Sequence, residues 1–426
     1  MKARFLTHSV VTLIANLSLA LSNWLLLIFL TKFFTTNDLG QVVMSLSFLS
    51  PLFLFCSFKL RTLIIVKDEH QYRADQYFNA RFLSNTLLLV LSPLLAAIFF
   101  GSGIGIGIVL LVALYKWGDG WCELSYAYLQ SVGRFSEVAK SQVFRALITI
   151  TWFIISAWFE VNLFVLLVGW SGVTLGVAII GIRKVALLEQ EKNWLGWVLD
   201  LITRTHLYRR SLALYKRYFT VSIALMMLSL YVYLPNFFLE AHYGVELAGY
   251  FATLSYFLVA GALLVNSLSQ VVSPMLVELA RLEAFNLFIR RVLQLCLLGC
   301  VIGVTSVLVG VFGGEWILRV IYNQGAAEYA DELVWVLAAA GVRYVYIFVG
   351  TGMNALRDFH SQTIIYTLGT TATMIACYLL IPASGIMGAA WAMLIGVSIE
   401  FLGFFSRFGW LVWQLKLDAR RDAVNV

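Results

Sequence analysis

The sequence predicts an all-α protein that crosses a membrane many times, and three observations support this fold class. The chain has 426 residues, of which 61% are hydrophobic and 12% are charged. Its mean hydropathy is +0.86, well above that of ordinary soluble domains. Its apolar residues fall in runs of roughly 20, the length that a helix needs to cross the hydrocarbon core of a bilayer. A polytopic membrane protein made of helices follows from these three observations.

Twelve membrane-spanning helices are predicted from the apolar runs. The second span contains Pro51, Lys59 and Arg61, and the tenth contains Arg343, so these two spans are the least regular. The fifth and sixth spans are separated only by Glu160 and its neighbour. The predicted spans are residues 8–32, 39–66, 80–100, 104–130, 142–160, 162–182, 218–239, 247–273, 288–312, 333–356, 361–381 and 386–413.

A long basic connection divides the twelve spans into two sets of six. Apolar residues spaced by three and four predict that part of this connection is an amphipathic helix in the cytoplasmic interface. Two six-helix lobes around a central cavity form the architecture of many transporters. The stripe consists of Trp194, Trp197, Val198, Leu201 and Ile202. The predicted parts are an N-terminal lobe, a cytoplasmic linker, a C-terminal lobe and a cytoplasmic tail, over residues 1–182, 183–217, 218–413 and 414–426.

The distribution of Lys and Arg predicts that both termini lie in the cytoplasm. Short cytoplasmic loops are enriched in these residues. Most of the 30 Lys and Arg residues fall at the termini or in the five loops on the inner side. An odd number of spans, or the opposite orientation, would remove this asymmetry. The exceptions are Lys32 and Arg319 on the outer side, and Lys59, Arg61, Lys116 and Arg343 within spans.

Several function classes find no support in the sequence. The chain has no G-x-x-x-x-G-K-[ST] loop, so we predict no nucleotide partner. Its five histidines and five cysteines lack metal-ligand spacing, so we predict neither a metal nor a cofactor. Membrane topology accounts for the net charge of +7, so no nucleic-acid partner is expected. No G-x-S-x-G motif occurs, and we expect no catalytic residues and no enzymatic activity.

Ionisable residues interrupt the fourth span, whose sequence over 110–130 is LLVALYKWGDGWCELSYAYLQ. Lys116, Asp119, Glu123, Tyr126 and Gln130 share one helix face because they are spaced by three and four. Charges near the centre of a bilayer normally face a protein interior or a hydrated cavity. Two interpretations follow. Either Lys116 pairs with Asp119 and leaves Glu123 unbalanced, or the whole face lines a polar, solvated cavity.

A second cation near the middle of a span favours the cavity. Arg343 lies in the tenth span as Lys116 lies in the fourth, so each lobe has a cation within its fourth helix. Arg and Lys in a low-dielectric site recognise phosphate or carboxylate. Amide side chains on other spans either contact neighbouring helices or face the same cavity. The candidate substrate-binding residues are Lys116, Arg343, Arg61, Lys59, Asn16, Gln130, Asn266 and Asn354.

The carboxylates within spans have two interpretations. Asp119, Glu123 and Glu400 can balance the charge of the cations, or they can exchange protons or Na⁺. Lys59 and Arg61 also have a second interpretation, in which they extend their side chains to the cytoplasmic interface. The sequence leaves both pairs of alternatives open.

Three segments of the chain have features of a known family. The first has an Arg at the end of the second helix, the second has a Lys in the fourth helix, and the third has an eighth helix that ends in Ser-Pro. The segments are FKLRTLIIVKDEHQYRADQYFNARFLSN (58–85), LYKWGDGWCELSYAYLQSVGRFSEVAKSQVFRALI (114–148) and ELAGYFATLSYFLVAGALLVNSLSQVVSPMLVELA (246–280). In these segments the chain resembles a polysaccharide flippase of the O-antigen or teichoic-acid type, in the multidrug/oligosaccharidyl-lipid/polysaccharide exporter superfamily.

The resemblance implies a function and a location. The implied cargo is an undecaprenyl-diphosphate-linked oligosaccharide, which alternating access moves to the outer leaflet of a bacterial inner (cytoplasmic) membrane for O-antigen, lipopolysaccharide or related assembly. The implied partners are this anionic lipid-linked oligosaccharide, the bilayer and other membrane proteins of polysaccharide assembly. The family's cationic positions correspond to Arg61 and Lys116, whereas Arg343 is a candidate from its own position in the sequence.

Two other functions compete with this expectation. A cation-coupled drug exporter of the same fold typically has a carboxylate in its first helix, and residues 8–30 contain none. A membrane glycan polymerase or glycosyltransferase would need a large outer loop or a nucleotide-sugar site, and the sequence shows neither. The cations within spans favour an anionic cargo over a cationic drug.

Overall fold

The computed structural model is all-helical within the residues that it describes, which are 2–66, 73–101, 104–189, 193–203 and 205–424. The chain divides into two compact units, which we name the N-terminal unit (Met1–Ser229) and the C-terminal unit (Leu230–Val426). The division falls within a helix that continues from one unit into the other.

The N-terminal unit consists of eight helices and the beginning of a ninth. They are α1 (Lys2–Phe33), α2 (Thr36–Phe55), α3 (Leu60–Val66), α4 (Ala74–Phe100), α5 (Ile106–Ser131), α6 (Phe135–Trp158), α7 (Leu163–Leu188), α8 (Trp194–Thr203) and the first part of α9 (Thr205–Tyr243).

The C-terminal unit contains the rest of α9 and five further helices. The last of these is bent at Gly385, where φ is 54° and the helical backbone is interrupted. The five helices are α10 (Val245–Arg281), α11 (Phe285–Ile321), α12 (Gln324–Ala327), α13 (Ala330–Ala355) and α14 (Phe359–Val424).

Eight of the described helices are long and apolar enough to cross a membrane, and α9 adds one more if its two segments, bent by 43°, form a single span. The bend in α14 lies between the eleventh and twelfth predicted spans. A helix covers at least part of every predicted span. The chain is therefore a multi-pass membrane protein, while twelve as the number of crossings stays a prediction.

The second predicted span is not one helix. It is divided into α2 and α3 by a turn in which Phe58 and Lys59 have left-handed backbone conformations, with φ of 45° and 56°. Such conformations interrupt helical hydrogen bonding in residues other than glycine. The hydroxyl of Ser84 donates to the carbonyl oxygen of Cys56 over 2.9 Å, which satisfies a carbonyl that the break leaves free. Lys59 thus lies in a turn rather than within a continuous span.

The predicted linker helix forms as α8, and the described part of its apolar stripe packs against other helices of the N-terminal unit. Trp197 and Leu201 are buried, and the Trp197 ring lies 5.4 Å from that of Phe78 on α4. The amide of Asn79 donates to the carbonyl of Leu201 and accepts a hydrogen bond from Ser211 on α9. Because α4 binds α8 and the start of α9, both pack within the N-terminal unit.

Close contact between two helices organises the C-terminal unit. A Cβ atom at Gly303 of α11 would lie 2.5 Å from the Cα of Gly341 on α13. At Gly299, about one turn earlier, it would lie 2.8 Å from the carbonyl oxygen of Tyr344. Small residues allow membrane helices to approach at backbone distance, where van der Waals packing is strongest. The register of α13, which carries Arg343, is therefore fixed against α11.

We predict that Gly303→Ala lowers the melting temperature of the detergent-solubilised protein, because the added methyl group forces two backbones apart. Overpacking of this kind costs about 1–3 kcal/mol. The matched control is Gly409→Ala in α14, where an added Cβ would meet no atom within 4 Å. Equal melting temperatures for the two variants in a fluorescence-detected unfolding assay would contradict the close contact.

Candidate functional site

Lys116 lies half-buried on α5, beside an aromatic side chain that two contacts hold in place. Its Nζ is 6.0 Å from the ring centroid of Tyr115. That ring stacks on Trp170 of α7 at 3.6 Å, and its hydroxyl donates to the Oδ1 of Asn23 on α1 over 3.1 Å. Contacts with α1 and α7 therefore position the Tyr115 ring beside Lys116.

Asp119 pairs with an arginine from another helix, not with Lys116. The Nη1 of Arg145 on α6 donates to the Oδ1 of Asp119 over 2.7 Å. The Arg145 side chain is 2% exposed, whereas that of Asp119 is 39% exposed. The Arg145 guanidinium also lies 5.6 Å from the ring centroid of Tyr115. The interpretation in which Lys116 and Asp119 form a self-contained pair is thus wrong.

Glu123 pairs in the same way with an arginine on α4. The Nη2 of Arg81 donates to the Oε2 of Glu123 over 3.0 Å, and the Arg81 side chain is 2% exposed. The acid that seemed to be left over in the sequence therefore has a partner. Together the two ion pairs connect α5 to α4 and to α6.

These pairings leave one positive charge uncompensated on this face of α5. A buried arginine needs a counter-charge because transferring an ion from water into protein costs several kcal/mol. Asp119 and Glu123 supply that counter-charge to Arg145 and Arg81. Within the residues that the structure describes, Lys116 forms no ion pair. The arrangement favours charge balance as the role of the two acids and leaves Lys116 available to an anion.

The sequence analysis missed Arg81 and Arg145. Both lie close to the inner ends of predicted spans, where a basic residue is expected for topological reasons. The helices that carry them, α4 and α6, begin at Ala74 and Phe135, so each arginine lies about two turns or more inside its helix. The one signal in the sequence was the position of Asp119 and Glu123, which lie within about two turns of the centre of the predicted fourth span. A carboxylate at that depth needs a positively charged partner.

The remaining candidates of the N-terminal unit lie on other elements or farther along α5. Gln130 is half-buried in the last turn of α5, about 21 Å from Lys116 along the helix axis at 1.5 Å per residue. Arg61 is half-buried on α3, and Lys59 is half-buried in the turn before it. Asn16 belongs to α1, but its side chain lies outside the described part of the structure.

In the C-terminal unit, Arg343 lies against an aromatic ring. Its guanidinium is 5.2 Å from the ring centroid of Tyr231, which is fully buried on α9. Among the described residues, the Nε and Nη1 atoms of Arg343 have no hydrogen-bond partner. An arginine has five N–H donors and no acceptor, so these atoms remain available to an anionic ligand or to water.

Glu400 of α14 is fully buried in the same unit. The hydroxyl of Tyr346, one turn after Arg343, donates to its Oε2. Its Oε1 has no hydrogen-bond partner within the described residues. A Cβ atom at Gly369 would lie 2.3 Å from the Glu400 Cγ, so this glycine leaves space for the carboxylate. No Arg343–Glu400 ion pair occurs within 4 Å in the described structure.

The two amide candidates of the C-terminal unit are exposed, one on α13 and one on α10. Asn354 is exposed and accepts a hydrogen bond from the Nε2 of Gln362 over 2.9 Å. It is about 16 Å from Arg343 along α13. Asn266 is exposed on α10. Across the described ranges, His, Cys, Asp and Glu side chains form no group of three that could hold a metal ion.

We predict that Asp119→Ala strongly destabilises the protein, because it leaves Arg145 buried without a counter-charge. Removing one partner of a buried pair costs about 3–5 kcal/mol. The control is Glu137→Ala, since Glu137 pairs with Arg134 and Lys184, which are both well exposed. An exposed pair contributes about 0–1 kcal/mol.

The measurement is the melting temperature of each solubilised variant. Restored stability in the double variant Asp119→Ala/Arg145→Met would show that the isolated charge causes the loss. If Asp119→Ala has the same melting temperature as Glu137→Ala and the wild type, Asp119 is not needed to balance the charge of Arg145, and the role assigned to it is wrong.

Comparisons with known proteins place this geometry in context. No protein-family model matches the chain. The capsular polysaccharide biosynthesis protein CapF of Staphylococcus aureus is 26% identical over 399 residues, which cover 92% of this chain and 96% of that protein.

Two solved structures show the same fold. The lipid II flippase MurJ, in an inward closed conformation, has a TM-score of 0.70 at 14% identity and covers 94% of this chain and 87% of its own. The MATE transporter VcmN of Vibrio cholerae has a TM-score of 0.61 at 15% identity and covers 98% of this chain and 96% of its own. The resemblance seen in the sequence is confirmed as a likeness: the chain is similar in sequence to a capsular polysaccharide biosynthesis protein, and it shares the fold of a lipid II flippase and of a MATE transporter.

Proposed function

We propose that the protein is a flippase for a lipid-linked oligosaccharide of surface polysaccharide assembly. The cargo we propose is an undecaprenyl-diphosphate glycan, which crosses the bacterial inner membrane by alternating access. The name of the CapF relative refers to polysaccharide biosynthesis, and MurJ is a flippase of the same fold. The observation that carries the proposal is the uncompensated charge of Lys116, since both acids on its helix face are paired with buried arginines.

We assign the candidate residues different parts in this function. Lys116 binds the diphosphate as a point charge, and Arg343 offers its fork of donors to an anionic group of the cargo. Asp119 and Glu123 balance the charge of buried arginines. Glu400 is the candidate for ion coupling, because it is fully buried and one of its oxygens has no partner among the described residues. Arg61, Lys59, Gln130, Asn16, Asn266 and Asn354 are candidates for contacts with more distant parts of the cargo.

The orientation in the membrane is part of the proposal. Both termini lie in the cytoplasm, as the distribution of Lys and Arg predicts. The cargo then enters from the cytoplasmic side and leaves into the outer leaflet. The protein performs transport rather than catalysis, with other membrane proteins of polysaccharide assembly acting before and after it.

A cation-coupled drug exporter is the alternative that the fold of VcmN supports. A cationic drug would meet the unpaired ammonium of Lys116, and like charges repel strongly in a low-dielectric site. A diphosphate is negatively charged, so the ammonium of Lys116 attracts it. Charge at Lys116 therefore distinguishes the two functions.

We predict that Lys116→Ala and Arg343→Ala each abolish display of surface glycan in the native host, because each removes a charged donor for the anionic cargo. Lys116→Arg retains most of the display, since it keeps the charge. The measurement is surface glycan on cells that express each variant at the wild-type level in the membrane. Lipid-linked precursor accumulates inside the cells in parallel.

The matched control is Lys140→Ala, which removes an exposed lysine from α6. It leaves glycan display unchanged. Wild-type display from well-inserted Lys116→Ala and Arg343→Ala cells would refute the anionic site. Resistance to cationic drugs that depends on the chain, without any effect on glycan, would favour the drug exporter.

A further inference from the structure

A cavity of about 640 Å³ lies at one end of the C-terminal unit, where α11 ends and α13 begins. On α13 its wall ends at Trp335, about 12 Å before Arg343 along the helix axis at 1.5 Å per residue. Its wall includes two tryptophans, Trp316 and Trp335, and two carboxylates, Glu315 and Asp331. Small-molecule sites usually have volumes of about 300–1,000 Å³, so the cavity is large enough for a ligand.

The aromatic part of the cavity is held in position. The ring of Trp335 meets that of Trp391 on α14 edge to face, with centroids 6.2 Å apart and an angle of 86° between the planes. This arrangement is favourable for aromatic pairs and restricts the orientation of the indole. The face of Trp335 is therefore a fixed apolar surface rather than a mobile side chain.

The acidic part of the cavity offers carboxylate hydrogen-bond acceptors, and one of its two carboxylates already has a cationic partner. Arg319, one turn after Glu315 on α11, donates to the Glu315 carboxylate. That pair neutralises Glu315 but leaves acceptor positions on its oxygens, because an ionised carboxylate has about four. Asp331 lies in the first turn of α13. A ligand rich in hydroxyl groups can donate to both carboxylates, and the pairing of Glu315 with Arg319 lowers the negative charge that would attract a cation.

Two glycines in the wall are not required for packing. A Cβ at Gly313 would meet just one atom within 4 Å, the Ile317 Cδ1 at 3.6 Å. At Gly314 the nearest atom would be the Leu333 Cδ2, also at 3.6 Å, which is ordinary contact. Each glycine costs about 0.8–1.0 kcal/mol relative to alanine inside a helix. Since helix packing does not explain the pair, its effect is to keep this wall of the cavity open.

From the cavity, the fixed indole, the neutralised carboxylate and the glycine pair, we infer that this is a carbohydrate-binding subsite. The C–H face of a pyranose ring stacks on the indole of Trp335, and sugar hydroxyls donate to Glu315 and Asp331. This inference rests on the proposed function, and it assigns the subsite to the sugar units of the cargo. By the predicted orientation, the subsite faces the outside and receives the glycan as it leaves.

Anchoring at the membrane interface is the other role that tryptophans at a helix end fulfil. An anchor requires neither a cavity nor carboxylates, and it tolerates alanine in place of glycine. The two roles therefore differ in their response to methyl groups added at Gly313 and Gly314. The added methyls leave the tryptophans in place while they reduce the space in front of them.

The first experiment measures binding to the full-length protein in lipid nanodiscs. The probe is the repeat-unit oligosaccharide released by mild acid from the host's own surface polysaccharide, and the readout is tryptophan fluorescence or calorimetry. We expect the double variant Gly313→Ala/Gly314→Ala to raise the Kd at least about tenfold, a loss of about 1.4 kcal/mol. Its melting temperature stays equal to that of the wild type or rises. Trp335→Leu weakens binding similarly.

The matched control is Gly409→Ala, which also adds a methyl group to a helical glycine with open space around it. It leaves the Kd unchanged. Wild-type protein that fails to bind the oligosaccharide, or a double variant that binds it normally, overturns the subsite. Binding of tetraethylammonium in place of the oligosaccharide overturns it as well, because the cavity would then select a cation.

The second experiment separates this inference from the proposed function. Deletion of the whole chain abolishes surface glycan if the chain is the flippase, and the double glycine variant then lowers display several-fold. If deletion leaves display unchanged, the proposed function and the subsite inference both fail. If deletion abolishes display but the double glycine variant displays and binds normally, the flippase proposal stands and the carbohydrate subsite alone is wrong.

Discussion

Ion pairs between neighbouring helices determine which charge in the N-terminal unit is left for a ligand. Arginine inside a membrane protein is costly unless a carboxylate meets it, and Arg145 and Arg81 meet Asp119 and Glu123 on α5. The two pairs hold α4 and α6 against α5 and so fix the helix that carries Lys116. Because each acid is already paired, the positive charge of Lys116 is not cancelled on its own helix face.

The buried cation of the C-terminal unit, Arg343, is stabilised by other kinds of contact. Arg343 lies over the ring of Tyr231. The buried acid of the same unit, Glu400, accepts a hydrogen bond from Tyr346. Cation–π contact and a neutral hydrogen-bond donor stabilise these groups less than an ion pair does. Donors on Arg343 and an acceptor on Glu400 therefore remain without partners in the described structure. Such unsatisfied buried groups are typical of sites that bind a ligand or an ion.

Some of this arrangement was predictable from the sequence, because it depends on local patterns. Hydropathy located the helices, and the spacing of apolar residues predicted the helix that forms at Trp194–Thr203. The same spacing placed Lys116 and its acids on one face. The partners of those acids were not predictable, since Arg81 and Arg145 come from other helices and pairing is a tertiary property. The break at Phe58 and Lys59 also escaped prediction, because neither residue favours a left-handed backbone.

Binding of the diphosphate by the charge of Lys116 is the central claim, and a direct affinity measurement tests it. The protein in nanodiscs is titrated with undecaprenyl diphosphate, and the Kd of the wild type is compared with that of Lys116→Met, which removes the charge and shortens the side chain by one atom. A hydrogen bond to a charged group contributes about 1.5–3 kcal/mol, so we predict that the Kd rises at least about tenfold. An unchanged Kd in a folded Lys116→Met protein would contradict the account.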